Sequence, residues 1–120
     1  MKRDMDLVRK ILLALEAYEH GYAPSSGFMI RGYDGDVIEY HLRIMKQGDL
    51  IGGKTVTAHG DTSPMWLTWQ GHEFLDAVRD DEIWSGVNRL LRDDGLSPSF
   101  VLLQELALKI LSARLGLPFE

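Results

Sequence analysis

Apolar residues recur at helical intervals from the start of the chain. Met5, Val8, Ile11, Leu12, Leu15 and Tyr18 fall three and four apart, which predicts a helix over residues 5–18 with one buried side. Asp4 stands where a carboxylate accepts from a free first-turn amide, and Gly21 follows the last periodic position. Arg9, Lys10, Glu16 and Glu19 fall off the apolar stripe. After the loop "GYAPSSG", the run "FMIRGY" at 28–33 predicts a short strand. Val37, Ile38, His41, Leu42, Ile44 and Met45 then give a broad apolar face to a second helix, capped by Asp36 and stopped by Gly48. Leu50 and Ile51 open a strand expected to reach Thr57, and "MWLTW" is its return strand across the break-rich 52–64. Thr68 is placed to cap a third helix, with Phe74, Leu75 and Val78 facing the core. A fourth helix over 81–92 carries Ile83, Trp84, Val87, Leu90 and Leu91. Pro98 suits the first turn of a last helix over 99–115, closed by Gly116 and Pro118.

The predicted order is helix, short strand, helix, two-strand hairpin, then three helices. That is the order of a winged helix-turn-helix domain with a helical C-terminal extension. The predicted fold class is mostly α with a small β-hairpin wing (α+β). One domain over 1–120 is expected, with a winged-helix core at 1–80 and the extension at 81–120.

Composition narrows the function. The 120 residues, 45% hydrophobic, suffice for one packed core. No apolar run is long enough to span a bilayer, and "MKRDMDLVRK" is too charged for a secretory signal, so a cytoplasmic protein is expected. The chain has no cysteine, which excludes disulfides, thiol catalysis and thiolate zinc sites. Its formal charge of −5 weighs against nucleic acid, because cations on phosphate supply most non-specific affinity.

Several longer words carry a family resemblance. "YHLRIMKQGDLI" is similar to the recognition helix and exit of winged-helix regulators, and "LTWQGHEFL" to their wing-to-helix turn, with Leu67, Thr68 and Gly71 in a Leu-Thr-x-x-Gly pattern. With "MKRDMDLVRKILLALE", "LTWQGHEFLDAVRDDEIW" and "SFVLLQELALKIL", the chain resembles the domain-of-unknown-function family 2513, small bacterial and phage-associated proteins. The resemblance implies a winged-helix-like fold and a prophage or mobile-element context. It carries no activity and no site residues. One departure stands out: only "MIRGYDG" occupies the place of the helix that ordinarily precedes a recognition helix.

The candidate nucleic-acid contacts are Tyr40, Arg43, Lys46 and Gln47 on the second helix and Lys54 at the wing. Arg43 suits a base edge, and Lys46 and Lys54 suit phosphate. Asp36 and Glu39 oppose them at the helix start, where acids favour the helix itself. Between 28 and 54 the basic residues Arg31, Arg43, Lys46 and Lys54 are balanced by Asp34, Asp36, Glu39 and Asp49. Two functions therefore stand open, the first of them the leading reading and the second its alternative. One is a DNA-binding or regulatory module on double-stranded DNA. The other is a protein-interaction module that keeps the winged-helix shape without DNA binding.

No enzyme is expected. Glycine-rich stretches lack a phosphate-loop context, and the serines lack a nucleophile elbow. No metal or cofactor is expected either: His72 and Asp76 share a helix face, but no further ligand stands at a usable spacing, and His20, His41 and His59 are scattered. Trp66, Trp69 and Trp84 are read as core. The last helix is apolar nearly all round, so its cover is either the first helix of the same chain or a second copy, as a homodimer.

Overall fold

The structure is a computed structural model and describes residues 1–24, 28–53, 64–93 and 99–116. Among these lie five helices, α1 (Met5–Glu16), α2 (Gly35–Gln47), α3 (Trp69–Val78), α4 (Asp81–Asp93) and α5 (Phe100–Arg114). Three short strands, β1 (Ala23–Pro24), β2 (Ile51–Gly53) and β3 (Pro64–Leu67), form an antiparallel sheet in the order β1-β3-β2. The fold is mostly α with a small sheet, α+β as predicted. No helix among the described residues is long and apolar enough to cross a membrane. The chain forms two compact units, Met1–Glu73 and Phe74–Glu120.

In the first unit, Asp4 caps α1 as expected, accepting from the Asp6 and Leu7 amides at 2.9 and 3.2 Å. The helix ends two residues early, and Tyr18 is exposed beyond it. Its buried arc is wider than the predicted stripe: Leu7 is fully buried, and so is most of Arg9, which the stripe had placed outside. Such an arc fits a helix packed against two neighbours, here α2 and β3.

The strand predicted at 28–33 does not form. Gly32 adopts φ 91°, and the Tyr33 amide bonds to the Ile30 carbonyl at 3.2 Å, closing a turn instead. The strand falls earlier, at Ala23–Pro24, where Ala23 pairs with Met65 and Pro24 with Pro64. Ala23 and Met65 point inward and are fully buried or nearly so. No helix lies between residues 28 and 34.

α2 starts one residue before the predicted cap. Asp34, not Asp36, occupies the cap position, and its side chain makes no capping bond. Ile38, His41, Leu42 and Met45 are buried, while Val37 and Ile44 form the half-buried margins of that face. The helix stops at Gly48, but the left-handed residue is Asp49 (φ 61°), from which Leu50 donates back to the Met45 carbonyl at 2.9 Å. The predicted continuation of β2 through Lys54 to Thr57 lies outside the described residues.

The second unit is built on α4 packed against α5. Asp80 caps α4 through the Glu82 and Ile83 amides at 2.8 and 3.0 Å, and Ser99 caps α5 through Leu102 at 3.2 Å. Pro98 lies outside the described residues. Ile83, Trp84, Val87, Leu91, Leu103 and Ala107 are buried, and Phe74 stacks on Phe100 at 4.5 Å between centroids. Leu90, an apolar residue of the same helix, is exposed. Arg114 reaches from the end of α5 to Glu82 at 2.8 Å and Asp80 at 3.6 Å, so the two helices run antiparallel.

Candidate functional site

Three features of the first unit position everything on its surface. The first is a histidine clamp. His41 is fully buried, its Nε2 accepts from the Asp4 backbone amide at 2.9 Å, and its Nδ1 lies 2.8 Å from the Val37 carbonyl. A carbonyl only accepts, so the proton sits on Nδ1 and the free lone pair faces Asp4. The side chain thereby ties the start of α1 to the middle of α2. The predicted place of His41 on an apolar face is confirmed, and the clamp gives it a structural role.

The second feature is the junction between β3 and α3. Thr68 Oγ1 accepts from the Gly71 amide at 3.0 Å and donates to the Asp49 carbonyl, while the Thr68 amide donates to Leu50 O at 3.2 Å. Gly71 lies so close to Leu50 that a Cβ there would overlap the Leu50 carbonyl oxygen. This accounts physically for threonine followed three residues later by glycine: one caps the helix, the other lets it touch the exit of α2. Thr68→Ala is expected to lower stability by about 1–2 kcal/mol, and Thr68→Ser to retain most of it. Thermal melts of the two variants check this, and equal losses would show that the hydroxyl is idle.

The third feature is the outer face of the sheet. Inward-pointing Met65 forces Trp66 outward, because side chains alternate along a strand. Trp66 pairs with Gly52 across β2, and its indole lies over that glycine so closely that a Cβ there would overlap the ring. On the other side, the β1–β3 register continued by one residue sets Tyr22 opposite Trp66. Tyr22 is 55% exposed and Trp66 43%. Pro24 and Pro64, also exposed, pair beside them on the same face. Trp66 and Trp69 are thus not core, contrary to expectation. Trp69, the first residue of α3, is 80% exposed, and only Trp84 is buried as predicted.

The predicted DNA contacts are arranged differently from a basic reading surface. Tyr40, Arg43 and Gln47 share the outward side of α2, with Lys46 half-buried at its flank. Arg43 is held by Glu39 through an ion pair of 2.9 Å, one turn back on the same helix. Tyr40 meets the His41 ring edge-on at 5.7 Å. Lys10, from the basic N-terminal group, lies over the Tyr33 ring at 5.2 Å. Lys54 and His59 lie outside the described residues. Among the described residues no three His, Cys, Asp or Glu side chains gather where a metal could be held. His72 and Asp76 are both exposed, and Asp76 pairs with Arg79 at 2.8 Å.

Comparison with known proteins places the chain. An uncharacterized protein of Haemophilus influenzae is 33% identical over 120 residues, covering 97% of this chain and all of the relative. No solved structure matches the chain. The family model described as "Hypothetical protein (DUF2513)" matches residues 2–97. With four-fifths of its length on that model and a full-length relative beside it, the chain belongs to the DUF2513 family.

Proposed function

We propose that this protein is a non-catalytic, cytoplasmic interaction module on a winged-helix-like scaffold, which takes a protein partner on the outer face of its small sheet. The observation that carries the reading is the exposed aromatic pair on that face. Trp66 is held against Gly52 and Tyr22 stands across from it, so a large apolar surface is presented at little cost in side-chain freedom. Tryptophan and tyrosine dominate hot spots of protein interfaces. The neutral outer side of α2 favours the same class of partner, since a protein surface needs no excess of cations.

The test compares wild type with Trp66→Ala and Tyr22→Ala. Proteins co-purifying with the tagged wild-type chain are quantified, and the affinity of the main one is measured for each variant. Trp66→Ala is expected to cost about 2 kcal/mol of binding, roughly 30-fold in Kd, with the fold kept by circular dichroism. Unchanged affinity in both variants would remove the sheet face from consideration.

Duplex DNA is the second reading. It is favoured by the likeness of the chain order α1-β1-α2-β2-β3, with sheet order β1-β3-β2, to that of a winged helix, and by Arg43, Lys46 and Gln47 lying along α2. Against it stand the Arg43–Glu39 pair and Asp36 in the first turn. Fluorescence anisotropy of a labelled duplex at about 50 mM and about 200 mM salt separates the two readings. The expected result is no salt-dependent binding. Binding that falls with salt and is lost in Arg43→Ala/Lys46→Ala would install DNA as the partner.

A further inference from the structure

α5 has two apolar sides, and the structure accounts for one of them. Leu103 and Ala107 are fully buried on the side that packs on α4. Elsewhere along the helix and its C-cap, Val101, Leu108 and Leu115 recur every seven residues and stay 59%, 37% and 65% exposed. Seven residues are close to two helical turns, so the three form one line about 21 Å long. Isolated exposed leucines are ordinary, but a straight row at heptad spacing occupies one of the two positions that seam a helix pair. Arg114 does not guard this row, because Glu82 and Asp80 hold it on the α4 side.

We infer that this row is a homodimer seam, on which α5 of a second copy of the chain packs antiparallel about a two-fold axis at Leu108. The row is symmetric about that residue. Turning it end for end sets Leu108 on Leu108 and Val101 on Leu115 of the second copy, so each exposed side chain meets an apolar one. Charge selects the direction. At 100° per residue, Ser112, Glu105 and Lys109 lie on one side of the row, and Gln104 and Leu111 on the other. In the antiparallel pair the two like flanks face each other. Glu105 of each copy then comes within reach of Lys109 of the other, giving two equivalent ion pairs. A parallel pair would set both charges against Gln104 and Leu111 and gain neither. The seam involves only the second unit, so it stands or falls independently of what the first unit binds.

Sedimentation velocity on the full chain over a hundredfold range of concentration is the first measurement. The mass is expected to rise from 13.6 kDa towards twice that value. Leu108→Lys puts like charges on the axis and is expected to move the transition at least tenfold higher in concentration, with its circular dichroism unchanged. Glu105→Lys is expected to weaken pairing, and Glu105→Lys with Lys109→Glu to restore it. Because the chain has no cysteine, single cysteines report the direction. Leu108→Cys is expected to cross-link to itself on oxidation, and Val101→Cys is not. A wild-type chain that stays at 13.6 kDa throughout overturns the inference, as does a folded Leu108→Lys variant that pairs like wild type. Self-cross-linking of Val101→Cys as complete as that of Leu108→Cys overturns the antiparallel arrangement.

Discussion

Replacing Gly71 by alanine is expected to cost about 3 kcal/mol of folding stability. Gly71 is the third residue of α3, and in most helices alanine would be preferred there. Here the added carbon would run into the Leu50 carbonyl oxygen, which is backbone and is itself accepting from the Thr68 amide. Neither group moves freely. Displacing the carbonyl breaks that bond and disturbs Asp49, already in the left-handed region and joined to Thr68 through its own carbonyl. Displacing α3 pulls Thr68 off the Gly71 amide. Gly86 supplies the control, since it lies within α4 and a Cβ there meets nothing within 4 Å. The same substitution at Gly86 is expected to stabilise by about 0.5–1 kcal/mol, through lower backbone entropy in the unfolded chain. Urea denaturation of both variants reads the opposite signs. Equal midpoints would mean that α3 and the exit of α2 do not touch as described.

What could be read from the chain beforehand divides along physical lines. Helices α1, α2 and α4 were legible because burial on one side leaves a 3.6-residue period in the residues themselves, α5 because a long apolar run lies between breakers, and the caps Asp4 and Thr68 announce themselves chemically. Short strands leave no such record. "FMIRGY" has more strand-like composition than Ala23–Pro24, yet β3 offers only four residues of ladder, and Gly32 turns the apolar run away from it. Backbone pairing chose the strand, and side-chain content did not reveal it. The exposure of Trp66 was available from alternation once Met65 is placed inward. Hydrophobicity alone assigns tryptophan to the core, and the pleat overrides it. The exposure of Trp69 was not available, since it depends on how α3 leaves the sheet. Charge was the most legible feature of the α2 face: the balance counted over 28–54 reappears as the Arg43–Glu39 pair.

These distinctions bear on function. The helix that resembles a recognition helix owes that resemblance to its inner side and its exit: Ile38, Leu42 and Met45 in the core, then Gly48, Asp49 and Leu50 turning the chain into β2. Those residues specify the scaffold and would be kept whatever the partner. On the outer surface of the first unit the exposed aromatic area lies on the sheet, and Glu39 pairs with Arg43 on α2. The scaffold signature is thus strong in "YHLRIMKQGDLI", while the outer side of the same helix carries an acid and a base paired with each other.

His41→Leu is expected to destabilise the first unit by about 2–3 kcal/mol, although it places an apolar residue of similar size in a fully buried position. Burial alone predicts the reverse, because leucine needs no partner there. The deciding group is the Asp4 amide, whose hydrogen bond ends on His41 Nε2. Leucine offers no acceptor, and an amide left against an apolar side chain carries its full desolvation cost. The Val37 carbonyl loses less, since it has a second donor in the helix ladder of α2. Asp4 is also the cap of α1, so a shift of its backbone away from the apolar side chain loosens the bonds to Asp6 and Leu7. His41→Gln keeps an acceptor on a side chain of similar reach and is expected to recover about half the loss. Hydrogen exchange resolves the mechanism. In His41→Leu the amides of Asp4, Asp6 and Leu7 should lose protection by at least about tenfold more than those at the centre of α2. A uniform loss along α1 and α2 would mean that a cavity or misfit in the core, and not the broken clamp, is responsible.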